Sequence, residues 1–299
     1  MRYFLILMVT SHFSMLEAKA QEKTKQALET LNERLIRAAL NKDFESVEGL
    51  YSDSTILMAE YQPTLDGKLK IAAYYSEIFK RQDLKTYERR TMEVMDFGTL
   101  ILEIGLFQKE LANKEKLKGK YFNSWSRNSN EEFTLRAECF GFFGEPQNKE
   151  GHRVMPLLDL NEPLIGRNGK KIPKEIQAYN AYGENLVRDR NTMGVVNSYT
   201  KDGVYFPFAD TAKTGYKELL THFTQYHSHP VKIDSIEVWT HDYDWVPGGL
   251  IKYNKFWVKW TVPDGYTGIS SGAGISYWKK IGDEYQRFRQ VGTHIYHPE

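Results

Sequence analysis

The chain has a single cysteine, Cys139. No internal disulfide is open to it, so its stability must come from packing. Cys139 lies within the apolar strand pattern Leu135 to Phe143 and reads as buried filler. An excess of charge is also missing: 40 Lys and Arg stand against 39 Asp and Glu. Such a surface builds no broad field for nucleic acid or anionic lipid, so no nucleic-acid partner is expected. The basic run Lys109 to Lys120 is interrupted by Glu110, Glu115 and apolar residues and reads as a solvated hairpin. There is no Gly-rich phosphate loop, no Cys-x-x-Cys pair and no Gly-x-Ser-x-Gly elbow, which removes nucleotide, zinc-finger and serine-hydrolase readings.

Long apolar runs are absent too. The nearest is Tyr3 to Val9, weakening to Leu16 and broken by Ser11, His12 and Ser14, too short to span a bilayer. Arg2 precedes it and Ala18-Lys19-Ala20 follows with a small-x-small pattern. Residues 1–20 therefore read as a secretory signal peptide with Gln21 as the new N-terminus. A buried first helix or a short anchor is the competing reading. With no cysteine near the cleavage point there is no lipid-anchor box. The expected location is periplasmic or secreted, with no membrane attachment after cleavage.

The 299 residues contain 41% hydrophobic and 26% charged residues, which suits a folded chain of about two domains. Aromatic content is 14%, with 19 Tyr and 16 Phe, and rings on that scale suit the pleated faces of sheets. Leu28, Leu31, Leu35, Ala38 and Ala39 recur at helical spacing over Glu22 to Asn41. A short helix is expected from Asp43 to Tyr51, a strand at Thr55 to Met58, and a helix over 68–80 after Asp66-Gly67. From Leu84 to Phe143 the pattern is strand-like, with turns at Asp96–Gly98, Ala112–Lys116 and Asn128–Glu131. Residues 144–173 hold Pro146, Pro156, Pro163 and Pro173 and read as an ordered linker.

The same order then returns. Helices are expected at Lys174 to Arg190, Met193 to Tyr199 and Tyr216 to Tyr226, with a strand at Val204 to Phe206. Strands follow near 231–243, 249–262, 268–281 and 284–297. Tyr51 and Tyr199 are 148 positions apart, as are Gly67 and Gly215. Trp125 and Trp278 are 153 apart, as are Gly119 and Gly272, and Arg136 and Arg289. Five ordered pairs make the chain an internal duplication, copies 22–143 and 174–299. Four long strands with one face covered by helices give an α+β fold. Two tandem cone-shaped domains are expected, each a strongly curved, mostly antiparallel sheet covered by about three helices. A cone open at one end is a natural small-molecule site.

The stretch Asn191-Thr192-Met193-Gly194-Val195-Val196-Asn197-Ser198-Tyr199 through Val204 resembles a signature of the nuclear transport factor 2-like superfamily. SnoaL-like polyketide cyclases and ketosteroid isomerases are among its bacterial relatives. Gly215 to Leu220 resembles the family's helix start. Ser276 to Lys280 with Arg289 to His294 resembles its closing hairpin. The first copy matches more loosely, through Phe44 to Asp53, Gly67 to Phe79 and Gly119 to Arg136. The resemblance implies the fold and says little of activity. In ketosteroid isomerases an Asp base works with an oxyanion pair of Tyr and protonated Asp. The family's base position, just before a proline, corresponds here to Phe206, and in the first copy to Met58. Neither accepts a proton, so that mechanism does not carry over.

Candidate chemistry lies in the second copy. His222, His241 and His294 are the candidate general bases, since a histidine beside a carboxylate in an apolar cone titrates near neutrality. Satisfied core or surface histidines are the plain alternative. Tyr182, Phe206, Tyr226, Trp239, Phe256, Tyr277 and Gln290 are the candidate ligand-binding residues. Phe256, Val258 and Trp260 share one strand face, and Trp257 and Lys259 the other. His227-Ser228-His229 has metal-type spacing, but it joins a helix to a strand, and neither a metal nor a cofactor is expected. In the first copy Met58, Leu102, Phe122 and Phe133 are expected to line the cone, with little acid–base chemistry. Two functions follow: a cone binding a small, largely apolar organic molecule, with or without His-based turnover, or a non-catalytic interaction module. In the second, exposed sheet faces would pair, and the two copies could form an intramolecular pseudo-dimer.

Overall fold

A computed structural model describes residues 2–155 and 170–295, and of residues 2–20 the backbone only. Part of the expected linker, residues 156–169, lies outside the described residues. The chain divides into two compact units, Met1–Thr55 with Gly67–Ala137, and Ile56–Asp66 with Glu138–Glu299.

The first copy opens with α1 (Arg2–Asn41), one helix that runs on through the expected cleavage point. No helix among the described residues is long and apolar enough to cross a membrane. The expected second helix is a 3-10 turn, Glu45–Leu50. It begins two residues later than expected, and the Asp43 carboxylate accepts from Ser46 N–H at 3.2 Å. Then come β1 (Tyr51–Ala59), β2 (Leu65–Asp66), α2 (Lys68–Arg81), β3 (Leu84–Asp96), β4 (Leu100–Leu111), β5 (Lys116–Arg127) and β6 (Phe133–Phe142). The sheet order is β2-β1-β6-β5-β4-β3. β1 starts four residues earlier than expected. Its polar start, Ser52 to Thr55, satisfies itself: Ser52 N–H donates to Thr55 Oγ1, which donates to Leu135 O at 2.6 Å.

A short helix, α3 (Lys149–His152), precedes the second copy: α4 (Lys174–Arg188), α5 (Thr192–Asn197), β7 (Tyr199–Phe206), β8 (Lys213–Thr214), α6 (Gly215–Ser228), β9 (Lys232–Val246), β10 (Gly249–Thr261), β11 (Thr267–Ile281) and β12 (Glu284–His294). The order β8-β7-β12-β11-β10-β9 repeats that of the first sheet. β9 to β12 pair antiparallel, while β12 pairs parallel with β7. Two six-stranded sheets, each with a few helices, make the fold α+β, as expected.

The duplication reaches into the register. Ile101 faces Trp125 across β4 and β5, and Leu250 faces Trp278 across β10 and β11. Six residues on, Phe107 faces Gly119 and Phe256 faces Gly272. Register breaks in β3 fall between Leu84 and Thr86 and between Thr91 and Glu93. In β9 the pairing skips Asp234 and His241, the counterparts 149 positions on from Lys85 and Met92. Such bulges bend a strand and add twist, which curves a sheet toward its covering helix. Arg136 Nη1 donates to Ser54 O, and Arg289 Nη1 to Asp202 O, and Ser54 and Asp202 are again 148 apart.

Gly67 and Gly215 precede or begin α2 and α6 with φ of 87° and 69°, left-handed values that a side chain adopts at a cost. Gly67→Ala and Gly215→Ala should each destabilise the unit that holds them by about 1–2 kcal/mol. Urea unfolding of the variants checks this.

Candidate functional site

The inward face of each sheet is marked by the helix that covers it. In the second copy α4 lays Asn180 on Thr240 and Lys252, and Tyr179 against Trp278, with ring centroids 5.5 Å apart. Strand alternation and register then place Asn254 and Phe256 on this face, with Ser276, Gly274 and Gly272 opposite on β11. Gln290, Gly292 and His294 continue it on β12. Phe256 and His294 meet there at 5.3 Å, and Tyr199 OH donates to Gln290 Oε1 at 2.7 Å.

An ionisable group is buried in the middle of each face. In the first copy it is Glu103, 0% exposed. Asn32 Nδ2, Thr91 Oγ1 and Tyr121 OH reach its Oε1 at 2.5, 2.6 and 3.0 Å. Trp125 Nε1 and Asn123 Nδ2 reach Oε2 at 2.9 and 3.4 Å. Burial foremost, then the charge of Glu103, pushes the Tyr121 hydroxyl well above the usual phenol range, so it stays a donor. The expectation that the first cone offers little acid–base chemistry is thus corrected. Leu102 and Phe122 alternate with Glu103 and Asn123 and point to the other face, which moved the reading one residue off the polar set.

In the second copy the counterpart of Glu103 is Lys252, 149 positions on and 2% exposed. Its Nζ donates to Asn180 Oδ1 at 2.7 Å and lies 4.8 Å from the Trp278 ring. Asn32 and Asn180 are 148 apart, so the same helix amide donates to an acid in one copy and accepts from an amine in the other. Thr91 and Thr240 correspond as well, and Thr240 Oγ1 links Asn180 to Asn254 Oδ1 at 3.1 Å. Burial foremost, then the Arg287 charge, pushes Lys252 down from its ordinary value of 10.5 to about 7.

The two faces are filled differently. Leu35, Tyr121 and Cys139 are buried in the first copy, and their counterparts are Gly183, Gly274 and Gly292. At Gly183 a Cβ would press on Arg287 Nη2 at 3.2 Å, so the glycine admits the guanidinium against the helix. At Gly292 a Cβ would meet only Tyr205 OH, at 3.7 Å. Around it Tyr205, Asn254, Phe256, Gln290 and His294 are half-buried.

The expected site residues divide accordingly. Phe256, Gln290 and His294 come together on the inward face, and Phe208 stacks on His294 at 4.3 Å. His222, on α6, packs edge-on to Tyr205 at 5.6 Å, with Nδ1 3.9 Å from Asp210 Oδ2. Burial, then Lys213, lowers its pKa below the ordinary histidine value, leaving a neutral base near this face. His241 sits on the bulge and is held by Asp66, Nε2 to carboxylate 2.9 and 3.0 Å, a pair apart from the Lys252 cluster. Phe206 and Tyr277 register with the opposite face and are buried there, Tyr277 edge-on to Phe288. Trp239 precedes the inward Thr240 and pairs with Lys255 rather than with an inward residue. Tyr182 and Tyr226 are exposed on their helices. His227 Nδ1 is 2.8 Å from Thr192 Oγ1, and among the described residues no three His, Cys, Asp or Glu converge to hold a metal. Met58 and Phe206 are both buried and apolar. Sequence reasoning missed Glu103 and Lys252. The available signal was one charged residue at a matching place in two apolar strands, Leu-Glu-Ile and Ile-Lys-Tyr.

Among solved structures the chain is similar to a ketosteroid isomerase-like protein from Erwinia carotovora atroseptica, at 15% identity over 41% of this chain and 95% of that one, TM-score 0.37. It is similar to a conserved protein from Planctomyces limnophilus, at 17% identity over 41% and 96%, TM-score 0.36. A third is a putative aromatic ring hydroxylase from Novosphingobium aromaticivorans, at 12% identity over 42% and 93%, TM-score 0.36. These values say nothing of activity. No protein-family model matches the chain, and no curated protein matches it.

Two outcomes test the buried charges. Glu103→Ala removes the carboxylate that five donors share and should cost about 3–5 kcal/mol by urea unfolding. For Lys252 the folded pKa is depressed, so between pH 7 and 10 the unfolded chain binds more protons and stability rises with pH. The gain, on the order of 1 kcal/mol per pH unit, should vanish in Lys252→Met.

Proposed function

We propose that this is an exported protein whose second copy binds a small, largely apolar organic molecule in its cone, while the first copy is structural. One observation carries the reading: Gly292 stands where Cys139 helps fill the first cone, and a Cβ there would meet only the Tyr205 hydroxyl, at 3.7 Å. Tyr205, Asn254, Phe256, Gln290 and His294 lie half-buried around Gly292. That mix of rings with a few polar groups is what small-molecule sites use. For turnover, the reading favours His294 on the inward face and His222 beside Tyr205 over His241, which is paired with Asp66. The closed first cone supports a scaffold role for that copy, since Tyr121 and Glu103 occupy its centre.

A ligand at a hundred times its dissociation constant stabilises a fold by about 2.7 kcal/mol. Thermal midpoints across a panel of steroids, polyketides and aromatic acids should therefore reveal binders. Gly292→Val fills the space below the Tyr205 hydroxyl without touching backbone, so it should abolish the shift and leave the unliganded midpoint unchanged. A shift that survives this substitution places the ligand elsewhere.

A further inference from the structure

Solvent reaches the inward face of the second copy around Gly292 and does not reach the matching part of the first. Tyr205, Asn254, Gln290 and Gly292 are half-buried, whereas their counterparts Leu57, Gly105, Ala137 and Cys139 are buried. Two neighbouring donors on this stretch, Tyr205 and Gln290, are register partners across β7 and β12. The Tyr205 ring stacks on Phe223 at 5.7 Å and meets His222 edge-on at 5.6 Å, and its hydroxyl has no acceptor among the described residues. Burial foremost, then the neighbouring Tyr199, holds that hydroxyl well above the usual phenol range, so it stays a donor. Gln290 Oε1 accepts from the Tyr199 hydroxyl at 2.7 Å, which leaves the Nε2 hydrogens of Gln290 without an acceptor among the described residues.

Arg287 sets the direction of this chain of bonds. A guanidinium only donates, and this one lies 5.4 Å from the Tyr199 ring and 4.9 Å from the Trp278 ring. Burial raises the Tyr199 pKa, and Arg287 works against that rise through its charge and a hydrogen bond to the hydroxyl. Tyr199 thus accepts from Arg287 and donates to Gln290 Oε1, and a chain that starts on a cation strengthens the donor at its end. Among the described residues no carboxylate pairs with Arg287. Asp210, the acid that acts on Tyr205, is itself held by Lys213 at 2.9 Å and by Thr211 N–H at 2.6 Å.

Resting on the proposed binding role of the second cone, we infer that its ligand is an organic carboxylic acid, bound as the carboxylate over Gly292 between the Tyr205 hydroxyl and the Gln290 amide. A Cβ at Gly292 would meet only that hydroxyl, at 3.7 Å, so an oxygen above the glycine has space to accept from it. A carboxylate has two oxygens to satisfy and nothing to donate, which matches a site whose free groups are both donors. The positive potential of Arg287 favours the charged acid over a neutral amide of the same shape. Phe256 and His294, next on the same face, meet the apolar part of the molecule.

The test titrates the full-length protein calorimetrically at neutral pH with hexanoate and benzoate, and with hexanamide and benzamide as neutral isosteres. Each acid should bind roughly tenfold tighter than its amide. Tyr205→Phe removes only a hydroxyl without a protein partner, so it should keep the wild-type circular dichroism and lose most of that preference. Gln290→Glu still offers Tyr199 an acceptor but puts a negative charge where the amide hydrogens were. It should reject both acids and keep the amides. If it does not fold, Tyr205→Phe decides alone. Acids and amides that bind alike, and are lost together in Gly292→Val, overturn the acid assignment and leave the cone as a binding site. A preference unchanged in Tyr205→Phe overturns it too, because the acid then sits elsewhere. Failure of all four compounds to bind also overturns it, and the binding role falls with it only if the steroid and polyketide panel gives no shift either.

Discussion

Each sheet is built around a charge that it must hide. Glu103 and Lys252 sit at matching register positions under a helix asparagine, each between apolar neighbours in its strand. Hiding a charge is tolerable only where polar partners surround it, and the two copies meet that demand unequally. Five donors close on Glu103, and one of them, Tyr121, reaches it diagonally from the neighbouring strand. Lys252 has one such partner, the helix amide of Asn180, itself held by Thr240, and burial lowers its pKa to about 7. The two inward faces differ in how that charge is satisfied.

Much of the architecture was legible in the chain, because duplication doubles every signal. Gly67 and Gly215 mark the third helix of each copy, and their positive φ values explain why glycine recurs. Trp125 and Trp278 kept their register through a five-residue drift, since the extra residues fell into strand ends and turns. The short helices and the first halves of β1 and β7 were harder to read. Ser52 to Thr55 has turn chemistry, and only the bond from Thr55 to Leu135, eighty residues away, makes it a strand.

The site was legible only in part. Phe256, Gln290 and His294 could be chosen from alternation along single strands. Choosing between the two faces needs to know which one the helix covers, and that contact is carried by Asn32 and Asn180, unremarkable polar residues on amphipathic helices. Phe206 and Tyr277 therefore went to the wrong side. His241 was drawn off by a bulge, which turns a residue out of alternation, and by Asp66, a partner 175 positions away. Glu103 and Lys252 were hidden because a charge inside an apolar strand is read most simply as its solvent side.

The parallel pairing of β7 with β12 has a consequence for how a copy is made. β12 lies inside the sheet, between β7 and β11, though it is the last strand of its copy to be synthesised. Until it emerges, β7, β8 and α6 have no edge on which to dock, and the hairpins β9 to β11 stand with an open border. Closure of the sheet is therefore a single late event that joins the first and last thirds of the copy. Gln290, Gly292 and His294 arrive with that strand, so the inward face is completed in the same step that completes the fold.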